Sequence, residues 1–398
     1  MLWDFSYSIK IAILIFPIIA LVFAIPFLVY QYQKYGASHW WRFVTIYSFV
    51  FYMLAAYFLV ILPLPKRSIV ATMTSPYIDL NFGDFYKIFL NQGLKVGGLD
   101  AWLHFFSTKA FHQVFFNILL TVPFGVYLRY YFKKGWFSTI ILSFCISLFF
   151  ELTQLSALYG LYPRPYRIFD VDDLFLNTLG GIAGYVLTPA VVFMFPSRDS
   201  MDEDSYRHSR EIGMVRRGTA FLVDLISITG ISLLVVINLF PKANILKTLM
   251  SPRKLAHILL DKPLLILIMI GIGSIILIFV PTILNGYTLG KKLVGIRLVE
   301  EDGSRVSFWK LLLRYGYIGF VLSALYLSAY LVVNKPLILN NSLDGQFAAI
   351  FIVLLLGAYT FFDIVVSKVT KTPFVYERIS GIINIADELA GDMWESDE

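Results

Sequence analysis

The chain has 398 residues, of which 58% are hydrophobic and only 15% are charged, and its mean hydropathy is +0.72. Because about a quarter of the residues in a soluble domain are charged, this composition excludes a soluble globular protein and predicts an integral membrane protein. The net charge of +6 suits anionic lipid headgroups, so we expect membrane lipids as partners and no nucleic acid.

Apolar segments recur along the chain at a length that can cross a bilayer. A helix needs about 20 mostly apolar residues to span the hydrocarbon. Nine segments satisfy this requirement, at 9–30, 41–62, 113–132, 137–158, 173–195, 219–240, 264–284, 310–333 and 347–367. The sequence therefore predicts an all-α, polytopic helix bundle with about nine transmembrane helices.

The distribution of Lys and Arg predicts the orientation of these spans. Cytoplasmic loops carry an excess of basic residues, and long loops count weakly. With the N-terminus outside, the inner loops are richer in Lys and Arg than the outer loops once the long loop 63–112 is left out. We expect a protein of the cell membrane with its N-terminus outside and its C-terminus in the cytoplasm.

Polar and charged side chains lie at the start of the third span and between the fourth and fifth spans. They are Asn117, Glu151, Gln154, Arg167, Asp170, Asp173 and Asn177. Such groups are costly near hydrocarbon because their charge or dipole loses water, so they pair, line a cavity or cap a helix. In the predicted orientation all seven fall at the outer face. They form either a binding or catalytic site, or a structural clamp in which Asp170 or Asp172 caps the fifth helix and Arg167 pairs with a carboxylate.

Small residues in the fifth span indicate close helix packing. Gly180 and Gly184 form a G-x-x-x-G pattern, and Gly181 lies between them. Such patterns let helix backbones approach closely in membranes, so we expect a structural role for these glycines.

Two motifs in the first half carry a family resemblance. The segment 116–125 reads FNILLTVPFG, and Glu151-x-x-Gln154 is followed by Arg167-x-Phe169-Asp170-Val171-x-Asp173 and then by Asn177-Thr178-Leu179-Gly180-Gly181. Together they resemble the signature of VanZ-like proteins, small multi-span bacterial membrane proteins, over roughly residues 40–195. The resemblance implies a VanZ-like five-span domain at 1–195 and a role at the cell envelope, since the founding function of the family is resistance to teicoplanin.

A charged polar segment divides the predicted spans into two groups. Residues 196–218 form the longest such run between spans, which predicts a cytoplasmic linker between the five-span half and a four-span half at 219–385. Residues 386–398 form an acidic tail. In the loop 286–307, alternating apolar residues followed by Asp302-Gly303 predict a small cytoplasmic β-hairpin.

The second half carries a different pattern of intramembrane charges. Arg217 and Asp224 are seven residues apart on one face of the sixth predicted helix, Arg314 opens the eighth, and Asp363 lies in the ninth. With the segment 288–297, this pattern resembles the RDD family, and the resemblance implies that Arg217, Asp224 and Asp363 are its signature residues. Arg314 either pairs structurally with Asp224 or Asp363, or belongs with them to a transport pathway.

Three functions remain open at this point. The first is a VanZ-like and RDD-type membrane protein of the bacterial cell envelope, acting in glycopeptide resistance or envelope homeostasis by binding a lipid-linked cell-wall component or an antibiotic. The second is a transporter or cation/proton exchanger. The third is an enzyme that uses Glu151 and Asp173 as acid and base on a lipid headgroup, for which the sequence offers no nucleophile. His and Cys spacings typical of a metal site are lacking, so neither a metal nor a cofactor is expected.

Overall fold

The computed structural model describes residues 2–89, 106, 108–239, 263–333 and 372–387, together with 351, 354–355, 357–359, 361–363 and 365–367. The chain forms two compact units. The first contains Met1–Ala24 and His39–Asp204, and the second contains Ile25–Ser38 and Ser205–Glu398.

The first unit is a helical bundle with two short strands. The long helix α1 (Leu2–Tyr35) contributes its first part to this unit. The other helices are α2 (Trp40–Ile61), α3 (Arg67–Ala71), α4 (Asp84–Phe89), α5 (Lys109–Tyr130), α6 (Trp136–Leu155), the single turn α7 (Ala157–Gly160), α8 (Val171–Val192) and α9 (Arg198–Arg207). Strand β1 (Ile78–Asp79) pairs in parallel with strand β2 (Phe169–Asp170).

Helices α5 and α8 pack closely because glycines, which have no side chain, occupy their interface. A Cβ atom at Gly125 would overlap the carbonyl oxygen of Gly181, and a Cβ at Gly184 would overlap that of Val122. A Cβ at Gly180 would likewise overlap the Ile118 carbonyl oxygen. The expected structural role of the glycines in the fifth span is confirmed.

The charged segment after α8 is partly helical and packs within the first unit. Arg42 of α2 is buried and donates to the Met201 carbonyl at 3.1 Å and to the Asp202 carboxylate at 2.6 Å. Met201 of α9 is itself fully buried. The first part of the linker predicted at 196–218 is therefore an ordered element of the first unit, and its last part begins the next helix at Met214.

In the described residues, the second unit combines helices with one antiparallel strand pair. Its helices are α10 (Met214–Leu239), α11 (Pro263–Ser274), the π-helical turn Ile275–Phe279, α12 (Val280–Ile283), α13 (Leu289–Leu293), α14 (Phe308–Val333) and α15 (Val375–Ser380). Its strands are β3 (Ile296–Glu300) and β4 (Ile382–Ala386). A core of Leu298, Val306, Leu311 and Ile382 lies between strands and helices.

The predicted β-hairpin in the loop 286–307 is wrong, although its first strand exists. Asp302-Gly303 does form a turn, in which the Gly303 N–H donates to the Glu300 carbonyl at 2.9 Å. Residues 304–307, which lie between this turn and α14, do not form a strand. Strand β3 pairs instead with β4, with Leu298 opposite Asn384.

Six of the described helices are long and apolar enough to cross a membrane. They are Ser8–Tyr35, Trp40–Ile61, Phe111–Tyr130, Trp136–Leu155, Val171–Val192 and Met214–Leu239, and they coincide with the first six predicted spans. The seventh prediction coincides with the shorter apolar segment Leu267–Ile283, and the eighth falls on α14. Much of the ninth, at 347–367, and residues 388–398 of the acidic tail lie outside the described residues. The total of nine stays a prediction.

Candidate functional site

An open cleft of about 650 Å³ lies in the first unit, next to one end of helices α5, α6 and α8. Its polar lining consists chiefly of Gln113, Gln154, Tyr166, Arg167, Asp170 and Asp173. Residues 73–75, from the segment between α3 and β1, contribute another part of the wall. Four of the seven residues predicted as a site thus line one cavity.

Glu151 and Asp170 connect the end of α6 to the start of α8. Asp170 is the N-cap residue of α8, and its carboxylate accepts the Asp172 N–H at 2.8 Å. This confirms the predicted cap, which satisfies a free N–H at the positive end of the helix. The Asp170 N–H in turn donates to the Glu151 carboxylate at 3.1 Å. Glu151 itself is buried and does not line the cleft, but it binds the backbone of Asp170, which does.

Asp173 and Asn177 connect α8 to the two helices beside it. The Asn117 amide of α5 donates a short hydrogen bond to the Asp173 carboxylate. One turn further along α8, the Asn177 side-chain amide donates to Ser147 of α6 at 3.0 Å, and the Asn177 backbone carbonyl accepts from the Thr121 hydroxyl of α5 at 2.6 Å. The bond from Asn117 holds the Asp173 side chain, and the bonds of Asn177 hold the next turn of α8 against its neighbours.

Asp172 joins the long segment between α2 and α5 to the site. Its buried carboxylate accepts the N–H groups of Gly83 at 2.8 Å and Phe85 at 3.1 Å. The pairing of β1 with β2 joins the same two parts of the chain. The sequence indicated Asp172 only as an alternative cap. Its bonds to the backbone of Gly83 and Phe85 could not be predicted, because backbone N–H donors carry no sequence signal.

The end of α2 supports the other side of the cleft. Gln154 is buried and its amide donates to the Val60 carbonyl at 3.2 Å, while the Tyr166 hydroxyl donates to the Ile61 carbonyl at 2.8 Å. Between these two residues the turn α7 has positive φ at Ala157, Leu158 and Tyr159. Such backbone costs about 1–2 kcal/mol per residue, so the contacts around the turn must stabilise it.

The two arginines of the site differ in their surroundings. Arg164 donates to the Ser75 carbonyl and lies 4.4 Å from the centre of the Tyr77 ring. Arg167 is exposed at the cleft, and its one hydrogen bond among the described residues is a long one of 3.5 Å to the Leu62 carbonyl. No carboxylate oxygen in the part of the chain that the structure describes lies within 4.0 Å of its guanidinium. Arg167 therefore makes no direct salt bridge among the described residues, although its charge interacts with the Asp173 and Glu151 carboxylates at longer range.

Burial changes the acidity of two groups at the cleft that lie outside the membrane-spanning segments. It raises the pKa of Asp170 above its ordinary value, and neighbouring carboxylates add to this effect. Burial also raises the pKa of Tyr166 to about 12, so this hydroxyl stays protonated and donates to its carbonyl partner. The carboxylate of Asp170 would consequently gain from a cationic partner.

The geometry separates the two carboxylates proposed as acid and base. Asp173 lines the cleft, whereas Glu151 does not and is engaged by the backbone of Asp170. General acid–base catalysis requires both groups within hydrogen-bond reach of one substrate. Of these two carboxylates, only that of Asp173 is therefore presented to the cleft.

In the second unit, Asp224 of α10 holds the start of α13. Its buried carboxylate accepts the Thr288 hydroxyl at 2.6 Å and the Gly290 N–H at 2.7 Å. A Cβ at Gly290 would overlap the Ala220 carbonyl oxygen, so this glycine allows α13 to approach α10. Asp224 thus connects two elements of the unit.

Glu377 is the carboxylate on which two arginines of the second unit, Arg217 and Arg314, converge. It accepts a hydrogen bond from Arg217 at 2.8 Å and one from Asn384 at 3.0 Å, and it lies 3.7 Å from Arg314. Arg314 also donates to the Ile382 carbonyl at 2.5 Å. The predicted pairing of Arg314 with Asp224 or Asp363 is wrong, because the helix α15 inserts its own carboxylate between the two arginines.

Asp363 and Arg216 complete the polar interior of this unit. The Asp363 carboxylate accepts the Val375 N–H at 3.2 Å and lies 3.5 Å from Arg378. Arg216 is buried and donates to the carbonyls of Ser209, Val294 and Gly295, at 2.6, 2.8 and 2.9 Å. Sequence reasoning missed Arg216, and the one available signal was its position one residue before Arg217.

Two family models match the chain. The VanZ/LLP1 model matches residues 49–195, and the model of the RDD family matches residues 212–372. No curated protein and no solved structure matches it. Both resemblances read from the sequence are confirmed, and with the six apolar helices they establish a membrane protein with membrane lipids around it.

Proposed function

We propose that this membrane protein, in which a VanZ-like domain precedes an RDD domain, acts at the bacterial cell envelope by binding a polar ligand in its cleft. One observation carries the proposal. Three apolar helices each bring a polar side chain to the same open cavity: Gln113 from α5, Gln154 from α6 and Asp173 from α8. Polar groups beside apolar helices are costly unless they pair or line a cavity, and the convergence of these three on one open cavity favours binding.

The cleft is held in place before any ligand arrives. Asp173 is fixed by Asn117, and Asp170 is fixed by Glu151 and by its own role as a cap. A site whose lining is positioned by hydrogen bonds from residues behind it loses less entropy on binding. This favours recognition of a defined polar group.

The expected ligand is a lipid-linked cell-wall component or a glycopeptide antibiotic of the teicoplanin type. With the N-terminus outside, the cleft lies at the outer face of the cell membrane, where both kinds of molecule are present. Binding at this face would contribute either to antibiotic resistance or to envelope homeostasis. In the same proposed topology, the C-terminus lies in the cytoplasm.

Cysteine labelling tests the proposed side of the membrane. The natural Cys145 is replaced by Ser, and single cysteines are placed at Ile168, beside the cleft, and at Ser200 of α9, both of which are exposed. We expect an impermeant thiol reagent to label Ile168→Cys in intact cells and Ser200→Cys only after lysis. The reverse pattern would place the cleft in the cytoplasm and overturn an outer-face function.

A susceptibility assay tests the function itself. We expect Asp173→Asn to alter survival in teicoplanin while the protein level stays constant. Asp199→Asn is the matched control, because Asp199 is exposed and pairs with Lys133 in the segment between α5 and α6, away from the cleft. If Asp173→Asn and Asp199→Asn cells survive alike, the cleft has no part in resistance.

Transport through the RDD domain is the alternative function, and it would depend on Asp224, Arg314 and Asp363. Each of these side chains is bonded to backbone or side-chain groups of the second unit, which favours structural roles. We expect Asp224→Asn to lower thermal stability. If instead it abolishes cation flux in proteoliposomes at unchanged stability, the RDD domain is a transporter.

A further inference from the structure

We propose that the cleft recognises a headgroup in which an amine and a phosphate are joined, as in phosphoethanolamine. This inference rests on the proposed function, because it assumes that the cleft binds a ligand, and it names the chemistry of that ligand. The observation that carries it is the mixed charge of the lining, in which Arg167 faces the same cavity as Asp170 and Asp173.

The phosphate would bind at Arg167. A guanidinium presents parallel N–H donors that match phosphate oxygens. Among the described residues, Arg167 has one long hydrogen bond to a carbonyl and no carboxylate within 4.0 Å, although it is only three residues from Asp170. Arg164 is different, since its guanidinium already bonds the Ser75 carbonyl and stacks near Tyr77. Among the described residues that line the cleft, Arg167 is therefore the cation with N–H donors placed to meet an anion.

The amine would bind at Asp170 and Asp173. In the described part of the chain, no Lys, Arg or His nitrogen lies within 4.0 Å of either carboxylate. The hydrogen bonds they accept come from neutral donors, namely the Gln113 and Asn117 amides for Asp173 and the Asp172 N–H for Asp170. The Arg167 charge acts on Asp173 only from beyond 4.0 Å, so an ammonium group would supply a counter-charge in direct contact and three further donors.

The charges exclude simpler ligands. A purely anionic group would approach Arg167 against two carboxylates, and a purely cationic group would approach the carboxylates against Arg167. A group that carries both charges a few bonds apart meets both requirements at once. The cavity of about 650 Å³ falls within the roughly 300–1,000 Å³ of small-molecule sites, so it has room for a headgroup.

Binding of defined lipids to the purified full-length protein tests this inference. The probes are short-chain phosphatidylethanolamine, phosphatidylcholine and phosphatidylglycerol in detergent, with calorimetry as the measurement. We expect phosphatidylethanolamine to bind at least about tenfold more tightly than phosphatidylglycerol, which corresponds to about 1.4 kcal/mol. Phosphatidylcholine should bind more weakly than phosphatidylethanolamine, because its methylated amine has no N–H donor. Equal binding of all three lipids would overturn the inference.

Two variants assign the two halves of the ligand. Asp173→Asn should remove the preference for phosphatidylethanolamine over phosphatidylglycerol, and Arg167→Gln should weaken the binding of both. Arg67→Gln and Asp199→Asn are the controls, since both side chains are exposed and neither lines the cleft. Melting temperatures identify any variant that fails to fold. If the two cleft variants fold and bind like wild type, the assignment is wrong.

Free phosphoethanolamine distinguishes the two sources of this chemistry. Competition at concentrations similar to those of the lipid would assign a soluble aminophosphate, and lack of competition would assign a lipid headgroup. The inference and the proposed function also fail separately. If Asp173→Asn changes teicoplanin survival but all three lipids bind equally, only the headgroup assignment falls. If lipid selectivity holds but survival is unchanged and Ile168→Cys is protected, only the envelope function falls.

Discussion

The N–H of Asp170 donates to the carboxylate of Glu151 at 3.1 Å, so the residue that caps α8 is itself held by the last turn of α6. The loop between these helices is thereby closed at its base. Asp170 lines the cleft and Glu151 lies behind it. The position of a candidate ligand-binding carboxylate therefore depends on a residue that does not reach the cavity.

Replacing Glu151 tests this support. Glu151→Ala leaves the partly buried Asp170 N–H without its acceptor, which costs up to about 1–3 kcal/mol, whereas Glu151→Gln keeps an amide oxygen in place. We expect the melting temperature in detergent to fall clearly for the Ala variant and only slightly for the Gln variant. Equal losses in the two variants would mean that the charge of Glu151, and not its role as an acceptor, stabilises the loop.

The raised pKa of Asp170 predicts a pH dependence of stability. Burial makes the folded protein bind this proton more tightly than the unfolded chain does. The stabilisation from this group is complete below its ordinary pKa of about 3.9, and it is lost as the pH rises through the higher pKa of the folded state.

Asp170→Asn is the comparison for this effect, because Asn also caps helices but does not titrate. We expect the melting temperature of the wild type, relative to that of the variant, to fall as the pH is raised from about 4. A difference that stays constant or increases with pH would contradict the raised pKa.

Replacing Gly184 tests the packing of α8 on α5. A Cβ there would overlap the Val122 carbonyl oxygen, so Gly184→Ala forces the two backbones apart at a cost of about 1–3 kcal/mol. Gly230→Ala is the control in the middle of another membrane helix, where no atom of the described residues lies within 4 Å of the added Cβ. We expect the control to be neutral or about 0.5–1 kcal/mol more stable. If both variants melt alike, close approach at Gly184 does not stabilise the unit.

Replacing Glu377 tests the ionic centre of the second unit. Glu377→Ala leaves Arg217 and the buried Arg314 without their shared carboxylate, and loss of one partner from a buried ion pair costs about 3–5 kcal/mol. We expect a large loss of thermal stability or of folded protein. Glu301→Ala removes an exposed carboxylate and should melt like the wild type. A mild effect of Glu377→Ala would show that water or another group replaces the carboxylate.

The sequence predicted those features whose physical cause is local. The first six spans follow from the hydropathy of continuous segments, and the helix cap at Asp170 follows from one side chain and the N–H groups just after it. Asp173 and Asn177 stood out because polar groups in an apolar helix are costly. The spacing of four residues then placed them on one face.

The features that the sequence did not predict depend on contacts between distant parts of the chain. Asp172 is bonded by the backbone of Gly83 and Phe85, and every residue except proline carries such a donor. Glu377 lies in a polar segment after the last apolar one, where nothing marks it as the partner of buried arginines. Asp224 and Asp363 lie inside predicted spans, so they were more conspicuous candidates and led to the wrong pairing.

The pairing of β3 with β4 has a consequence for how the protein is made. During translation, strand Ile296–Glu300 leaves the ribosome long before its partner strand Ile382–Ala386. The edge that pairs with β4 therefore lacks its partner strand while α14 and the segments after it are being synthesised. An unpaired edge is a template for association with other chains. Folding of the second unit is complete only when the last strand arrives, and stalled chains that lack it would present that edge to cellular quality control.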